Sequence, residues 1–214
     1  MADFAKVFTE SIEQPEVFWA KAAEGIDWYK KCDTVLDSSN PPFYRWFSGG
    51  MMNTCYNAVD RHVENGRADQ VAIIYDRPVT DTKIKVTYKE LQEKVSRLAG
   101  GLQNLGITKG DTVIIYMPMI LEAAYSMLAC ARIGAIHSVV FGGFAANELA
   151  IRINHAQPKI ILTASGAIEG KKTLAYKPIV DEAIKIAEHK VEKCILFQRP
   201  FLTAEMQNEM DIDW

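Results

Sequence analysis

Apolar residues recur at the spacing of an amphipathic helix between residues 91 and 105. They follow one another at steps of four, three, four and three, which places them on one face of an α-helix, and Gly106 closes the segment. Thr87 and Glu90 stand just before it with the spacing of a helix capping box. The pattern therefore predicts a helix that buries one apolar stripe against a core. The stripe consists of Leu91, Val95, Leu98, Leu102 and Leu105.

Short apolar runs alternate with helix-like segments from residue 111 onward. Such runs are typical of parallel strands buried on both faces of a sheet, and the alternation predicts an α/β fold with right-handed crossovers. Because the connections are short, we expect the strands at residues 112–117, 135–140 and 159–163 to be parallel and adjacent, or nearly so. The predicted strands are residues 111–117, 135–140, 159–163 and 194–198, and the predicted helices are residues 119–132, 145–155 and 177–189.

The first 53 residues have a different character, because they are rich in aromatic and turn-forming residues. Residues 15–24 predict a short helix with Pro15 in its first turn. The other residues of this stretch suggest an arm that buries aromatic side chains, Trp46 among them, against a larger body. Residues 54–66 then predict a helix, and residues 71–76 and 83–88 predict a hairpin. The chain is thus expected to consist of an arm at residues 1–53 and an α/β region at residues 54–214.

The composition indicates a folded globular protein. Of the 214 residues 49% are apolar and 24% charged, so the signature of disorder is missing, and a net charge of −3 argues against nucleic-acid binding. No stretch is apolar enough to span a bilayer, and the first residues have no features of a signal or transit peptide. The expected location is the cytoplasm, with the mitochondrion as the alternative. Four widely spaced cysteines suggest buried thiols, and neither they nor the histidines have metal-binding spacing.

Two segments that follow predicted strands have the chemistry of an anion site. The first is Phe141-Gly142-Gly143-Phe144, which leads directly into a predicted helix. Two glycines would let a ligand approach the backbone, and free N–H groups at the start of a helix favour negative charge. The alternative is that the glycines only make a tight turn between strand and helix. Taken alone, the segment favours this alternative.

The second segment, residues 164–173, is long for a loop between a strand and a helix and contains Lys171 and Lys172. Adjacent lysines could hold a phosphate as point charges. The alternative is that both are ordinary solvated side chains, which the frequency of exposed lysine favours. The chain contains no glycine-rich dinucleotide fingerprint, no P-loop, no nucleophile elbow and no zinc-protease motif.

Several segments closely resemble, in the same order, segments of the AMP-forming short-chain acyl-CoA synthetases. These are adenylate-forming enzymes that include the acetate– and propionate–CoA ligases. The resemblance covers essentially the whole chain. Residues 36–47 resemble the propionate type more than the acetate type. The remaining segments are Glu16–Trp19, Asn57–His62, Gly110–Met119 and Ala129–Phe144.

The resemblance implies a two-step ligation. ATP and a short-chain carboxylate would form an acyl-adenylate and pyrophosphate with magnesium, and the thiol of coenzyme A would then displace AMP. The tetrad Glu169-Gly170-Lys171-Lys172 stands where the family binds coenzyme A, and residues 141–144 resemble a neighbouring wall of that site. Glu169 replaces a usual arginine and Lys171 a usual glycine, whereas Lys172 keeps the cation that a phosphate needs. The resemblance thus favours the binding interpretation of both segments.

The family's Ser/Thr/Gly-rich phosphate loop, its ribose-binding aspartate and its adenylation lysine are not found among these residues. We therefore expect the chain to be an incomplete part of the large N-terminal domain of the adenylate-forming fold, without turnover of its own. The alternatives are a stand-alone module that binds coenzyme A or a nucleotide, and an interaction protein that kept only the fold. Residues 206–214 are acidic and turn-like and suggest no further strand, which favours the incomplete enzyme.

Overall fold

The chain divides into two compact units, the first of which extends to Asn57. A computed structural model describes residues 3–207 and 209–214. In the first unit, the first strand pairs with the fourth and the second with the third, both antiparallel. The sequence predicted only the second of its two helices. The elements of this unit are α1 (Phe4–Glu13), α2 (Pro15–Ala23), β1 (Trp28–Lys30), β2 (Thr34–Asp37), β3 (Arg45–Ser48) and β4 (Met51–Met52).

Aromatic side chains of this unit touch one another but stay partly in solvent. The indole N–H of Trp28 donates to the carbonyl of Ala23 at 3.0 Å, and Trp46 meets Trp19 edge to face with ring centroids 6.1 Å apart. Trp46 is nevertheless 45% exposed and Phe43 74% exposed. The prediction that Trp46 is a buried core anchor is wrong, because its ring lies against other surface aromatics.

Residues 54–67 are helical, as predicted, but mostly in the wider π form, over Tyr56–Asp60 and Val63–Arg67. Gly66 adopts a φ of +78° near the end of this segment. The predicted hairpin follows as two antiparallel strands joined through a short 3₁₀ turn. Its strands are β5 (Val71–Arg77) and β6 (Thr82–Thr87).

The amphipathic helix α3 (Tyr88–Asn104) is confirmed together with its capping box. The backbone N–H of Thr87 donates to the Glu90 carboxylate at 2.8 Å, and the backbone N–H of Glu90 donates to the Thr87 hydroxyl at 3.2 Å. Both donors would otherwise lack a partner at the start of the helix. The buried residues of α3 are Leu91, Val95, Ala99 and Leu102.

Five parallel strands form the central sheet of the second unit. The elements from this point are β7 (Thr112–Met117), α4 (Leu121–Ile133), β8 (Ile136–Phe141), α5 (Ala146–Ala156), β9 (Ile160–Ala164), β10 (Gly166–Glu169), β11 (Lys172–Ala175), α6 (Lys177–Ile186), β12 (Lys193–Phe197) and β13 (Asp211–Asp213). The strand order in the sheet is β13-β12-β9-β7-β8, and every neighbouring pair is parallel, which confirms the α/β fold and the adjacency expected for residues 112–117, 135–140 and 159–163.

Two segments differ from the sequence prediction. Residues 164–173 are not an irregular loop, because β10 and β11 pair as an antiparallel hairpin. Residues 206–214 do contain a further strand, since β13 extends the sheet beside β12. The prediction of a turn-like end is therefore wrong, and residues 206–214 no longer favour an incomplete enzyme.

The edge strand β13 is fastened to α6 by a buried charge cluster. The Lys177 ammonium lies 2.7 Å from the Asp211 carboxylate and 2.5 Å from that of Asp181. The side chain of Lys177 is 2% exposed and that of Asp211 is fully buried. Burial alone would lower the pKa of Lys177, but the hydrogen bonds to both carboxylates outweigh it, and the net pKa is raised.

One layer of the core lies between the sheet and helices α5 and α6. It includes Tyr116, Ile153, Val180 and Cys194. Cys194, Cys55 and Cys130 are buried, as predicted, whereas Cys32 is half-buried. None of the described helices is long and apolar enough to cross a membrane. Within residues 3–207 and 209–214, no group of three or more metal-ligating side chains could hold an ion.

Candidate functional site

The two predicted anion segments lie at the same edge of the sheet. Residues 141–144 begin where β8 ends, and the β10–β11 hairpin begins directly after β9. Strands β8 and β9 flank β7 on either side. Since ligands of open parallel sheets bind beyond the carboxyl ends of the strands, both segments stand where a ligand is expected.

A buried tyrosine fixes the turn at residues 141–144. The backbone N–H of Phe144 donates to the carbonyl of Phe141 at 3.1 Å, which closes the turn. The hydroxyl of Tyr116, near the end of β7, donates to the carbonyl oxygens of Phe144 at 2.8 Å and Gly142 at 3.1 Å. The turn is thus tied to the central strand of the sheet.

The two glycines of this turn have different roles. A Cβ atom on Gly142 would lie 2.3 Å from the hydroxyl oxygen of Tyr176, a residue that is 2% exposed. A Cβ atom on Gly143 would lie 2.6 Å from the ring of Phe141, which is 70% exposed and free to turn away. Gly142 is therefore required by packing, which favours the turn interpretation there. Gly143 is exposed, so its backbone is open to a ligand.

Aromatic rings and backbone donors surround the exposed side of the turn. Phe141 and Phe144 meet edge to face with centroids 5.7 Å apart, and the guanidinium of Arg152 lies 4.3 Å from the centroid of Phe144. Arg152 also pairs with Glu148 at 3.0 Å. Helix α5 begins here behind Ala145, whose side chain makes no capping hydrogen bond. The N–H groups of its first turn therefore remain available to an anion.

The tip of the β10–β11 hairpin presents the predicted tetrad to solvent. Glu169 and Lys172 are cross-strand partners, and Gly170 and Lys171 form the two-residue connection. Gly170 has a φ of +60°, which suits the glycine that begins a tight hairpin turn. All four residues are exposed, and in the described part of the chain neither lysine side chain forms an ion pair. Both charges are therefore free to meet an anion.

The base of the hairpin is held more firmly than its tip. Ser165, which precedes β10, donates its hydroxyl to the carbonyl of Leu202 at 2.6 Å and accepts from the N–H of Arg199 at 2.8 Å. A Cβ atom on Gly166 would lie 2.5 Å from the carbonyl oxygen of Leu174, so only glycine fits. From the other hairpin, Arg77 donates through Nη2 to the carbonyl of Ile168 at 3.0 Å.

Two neighbouring tyrosines lie between the turn and the hairpin. The ring centroids of Tyr116 and Tyr176 are 5.1 Å apart, and the rings are tilted by 39°. Burial raises the pKa of Tyr176 to about 12, the negative charge of Glu169 adds to the rise, and the positive charge of Arg77 opposes it. Burial, the neighbouring Tyr176 and Glu169 also raise the pKa of Tyr116 above its usual range. Both hydroxyls therefore stay protonated at neutral pH, and Tyr116 remains a hydrogen-bond donor to the turn.

A cavity of about 650 Å³ lies away from these loops, between α3, α4 and the last two strands. A smaller cavity of about 290 Å³ lies beside the base of the hairpin. Its lining includes Lys177, whose ammonium group already forms ion pairs with Asp181 and Asp211. Neither of these two cavities includes the exposed turn or the hairpin tip.

Sequence reasoning missed three residues that shape this surface, namely Tyr116, Tyr176 and Arg77. Tyr116 belongs to a predicted strand, but its hydroxyl contacts carbonyls that are 26 and 28 residues away in sequence. Arg77 reaches a carbonyl 91 residues away. Such contacts follow from the topology of the sheet and leave no local signal in the sequence.

Comparison with known families identifies the class of protein that this fold and surface define. Residues 59–213 match the family of AMP-binding enzymes, and residues 4–58 match the family described as the acetyl-coenzyme A synthetase N-terminus. The chain therefore belongs to the AMP-binding enzyme family. The family indicated by the sequence resemblance is confirmed.

Individual relatives are acyl-CoA synthetases. The chain is 54% identical to acyl-CoA synthetase short-chain family member 3, mitochondrial, of Homo sapiens over 100% of its own length and 31% of that protein. It is 42% identical to the propionate–CoA ligase of Escherichia coli over 99% of its length and 33% of that protein. Acetoacetyl-CoA synthetase from Streptomyces lividans has the same fold, with a TM-score of 0.88 and 25% identity over 100% of this chain and 32% of that one. The chain thus spans about a third of the length of each of these relatives.

Proposed function

We propose that this chain forms part of an ATP-dependent ligase that joins a short-chain carboxylate, propionate or acetate, to coenzyme A. The carboxylate would attack the α-phosphorus of ATP with magnesium and release pyrophosphate, and the coenzyme A thiol would then displace AMP from the acyl-adenylate. The observation that carries the proposal is the 42% identity to a propionate–CoA ligase over 99% of the chain. The exposed lysines beyond the carboxyl edge of the sheet support it.

The chain is proposed to supply part of the coenzyme A side of the enzyme. Lys171 and Lys172 offer point charges to phosphate groups, and the backbone at Gly143 and the first turn of α5 offer N–H donors. The exposed ring of Phe141 supplies an apolar wall beside them. The proposed binding residues are Phe141, Gly142, Gly143, Phe144, Glu169, Gly170, Lys171 and Lys172, of which Gly142 acts through the shape of the turn.

For the domain organisation we propose an arm at residues 1–53 and the first part of the AMP-binding domain at residues 54–214. The division of the structure into compact units at Asn57 supports a boundary in this neighbourhood. For the location, the cytoplasm stays the proposal from the sequence, and the name of the human relative makes the mitochondrion its competitor. Imaging of a C-terminal fluorescent fusion, expressed from the longest reading frame that contains these residues, decides between them.

A turnover assay tests the proposed function. The polypeptide of residues 1–214 is expected to release no AMP above background from ATP, propionate and coenzyme A with magnesium. The family's phosphate loop, whose N–H groups would stabilise the developing charge, is not among these residues. The product of the longest reading frame that contains them is expected to release AMP and form the acyl-CoA.

Two outcomes would contradict this proposal. AMP release by residues 1–214 that is abolished by mutating this chain would place the catalytic groups within it. If instead the longest product binds coenzyme A but never forms AMP, the protein is a stand-alone binding module.

Replacing Lys172 with alanine is expected to weaken coenzyme A binding about five- to thirtyfold, because a charge-assisted contact to a phosphate is lost. Glu169→Arg is expected to strengthen binding, because it removes a repulsive carboxylate and adds a cation. Both effects should shrink at high salt, since the tip is exposed. Titration calorimetry at low and high salt measures them.

Lys185→Ala is the matched control for the Lys172 variant, since Lys185 is an exposed lysine of α6 outside the candidate site. Equal affinities of the Lys172 and Lys185 variants at low salt, with no gain from Glu169→Arg, would remove the hairpin tip from the proposed site. The two lysines at the tip would then be ordinary surface charges.

A further inference from the structure

The hairpin tip has a neighbouring cation that the sequence comparison does not reveal. Arg77, the last residue of β5, reaches the end of β10 and donates through Nη2 to the carbonyl of Ile168 at 3.0 Å. That carbonyl belongs to the peptide that joins Ile168 to Glu169. A positive charge is therefore fixed one peptide unit from the carboxylate that stands where the family usually has an arginine.

The guanidinium is fixed but not fully satisfied. Its Nη1 atom is buried and has no hydrogen-bond partner among the described residues. A guanidinium has five N–H donors in a rigid, planar arrangement. The hydrogen bond through Nη2 therefore also fixes the direction of the N–H groups on Nη1. A buried donor without a partner is costly, so the guanidinium charge at the base of the tip is only partly compensated by its surroundings.

The charges of Arg77 and Glu169 have opposite electrostatic effects near the hairpin tip. Glu169 and Arg77 act in opposite directions on the same group, because the first raises and the second lowers the pKa of Tyr176. No ion pair joins Arg77 to Glu169 within the described residues, so neither charge is neutralised by direct contact. The arginine acts on the field around the tip, while Lys171 and Lys172 remain the exposed cations.

We propose that Arg77 is a positioning residue for anion binding at the hairpin tip, where its charge offsets that of Glu169 and its hydrogen bond to Ile168 holds the tip in place. The inference rests on the proposed function, because the anion in question is a phosphate group of coenzyme A. The charge of Arg77 would explain how a hairpin tip that has the Glu169 carboxylate in place of an arginine can still bind a phosphate. The positive charge comes from another hairpin of the fold.

Three substitutions of Arg77, made in the product of the longest reading frame that contains these residues, distinguish the effect of its charge from the effect of its hydrogen bond. Arg77→Gln retains an N–H donor for the Ile168 carbonyl but removes the charge, and Arg77→Lys keeps the charge without the fork. Arg77→Ala removes both. We expect coenzyme A affinity at low salt to fall about two- to fivefold in the alanine and glutamine variants and to recover in the lysine variant. Lys83→Ala, which breaks an exposed 2.9 Å ion pair with Asp76 on the same β5–β6 hairpin, is the control and should change nothing.

A double-mutant cycle with Glu169→Gln gives the decisive readout. If Arg77 acts by offsetting Glu169, its replacement by glutamine should have little effect once residue 169 is uncharged. A loss that is the same in both backgrounds, or that lysine does not rescue, would reduce Arg77 to a structural support. Circular dichroism melting curves check that each variant is folded, and Arg77→Gln covers the case in which the alanine variant is not.

The outcomes separate this inference from the function on which it rests. If coenzyme A binding is weakened by Lys172→Ala but unchanged by Arg77→Gln, the inference is wrong and the proposed site stands. If the unsubstituted product of the same reading frame binds no coenzyme A at low salt, the assignment of the tip as a coenzyme A site is wrong, and the inference falls with it.

Discussion

Replacing Lys177 with methionine is expected to lower the free energy of unfolding by about 3–5 kcal/mol, because it leaves the Asp211 carboxylate buried without its cation. The Lys177 ammonium lies 2.7 Å from that carboxylate, whose side chain is fully buried. Asp211 Oδ2 also accepts from the backbone N–H of Gln207 at 2.7 Å, whereas Oδ1 has no hydrogen-bond partner in the described part of the chain, so Lys177 supplies the cation that compensates this charge. Urea unfolding followed by circular dichroism measures the loss.

The exposed Lys185 of the same helix is the matched control, and Lys185→Met should cost far less. Adding Asp211→Leu to Lys177→Met should restore much of the lost stability, since an apolar replacement of a buried ion pair is often nearly neutral. If the single methionine variants at 177 and 185 unfold at the same urea concentration, the buried pair contributes nothing and the assignment is wrong.

The pH dependence of this contribution follows from the sign of the pKa shift. The pKa of Lys177 is raised above its ordinary value of 10.5 in the folded protein, because hydrogen bonds to Asp181 and Asp211 outweigh the effect of burial. A raised lysine pKa stabilises the fold fully below the unfolded value, and this stabilisation is lost as the pH rises through the folded value. The contribution of Lys177 should therefore be fully present below pH 10.5 and should decline at more alkaline pH, which urea unfolding across this range measures.

Gly142→Ala is expected to destabilise the second unit by about 1–3 kcal/mol, the usual cost of an extra methyl group in a packed site. Its Cβ atom would lie 2.3 Å from the Tyr176 hydroxyl oxygen and 2.7 Å from the ring. Tyr176 is buried against Tyr116 and has little room to retreat. Gly143→Ala should stay within about 0.5 kcal/mol, because the exposed Phe141 ring can rotate away. Thermal and urea unfolding of both variants make the comparison.

The same two glycine variants distinguish a residue that the packing of the turn requires from a residue whose backbone contacts the ligand. Gly143→Ala should weaken coenzyme A binding without loss of stability, because the added methyl group stands on the exposed backbone of the turn. Equal destabilisation by both substitutions would show that the turn does not discriminate between the two positions and would contradict the packing described for Gly142.

The parts of the fold that the sequence predicted are those with strong local signals. Helix α3 combines a capping box with an apolar stripe, and strands β7 and β9 are continuous apolar runs, so neighbouring residues alone define them. The hairpin β10–β11 was missed because its strands have only four residues each, too few for a clear alternation. Gly170 at the first position of a two-residue connection is the signal that could have found it.

Strand β13 and the buried state of Lys177 could not be predicted from local sequence. Three residues of alternating acid and isoleucine form a strand only because β12 offers them an edge and Lys177 neutralises Asp211. Lysines are mostly exposed in proteins, so the sequence favoured the opposite state for this one. For the candidate site, resemblance supplied the tetrad at residues 169–172, whereas Tyr116 and Arg77 became visible only through contacts between distant strands.

Trp214 gives the molecule a built-in optical reporter. Of the four tryptophans in the chain, Trp19, Trp28 and Trp46 lie in the unit that ends at Asn57, and Trp214 alone belongs to the second unit. Its ring meets Phe197 edge to face at 5.8 Å and is 38% exposed. With the three other tryptophans replaced by phenylalanine, the fluorescence emission maximum would report the solvent exposure of Trp214 alone. The detachment of β13 from the sheet could then be timed separately from any change in the first unit.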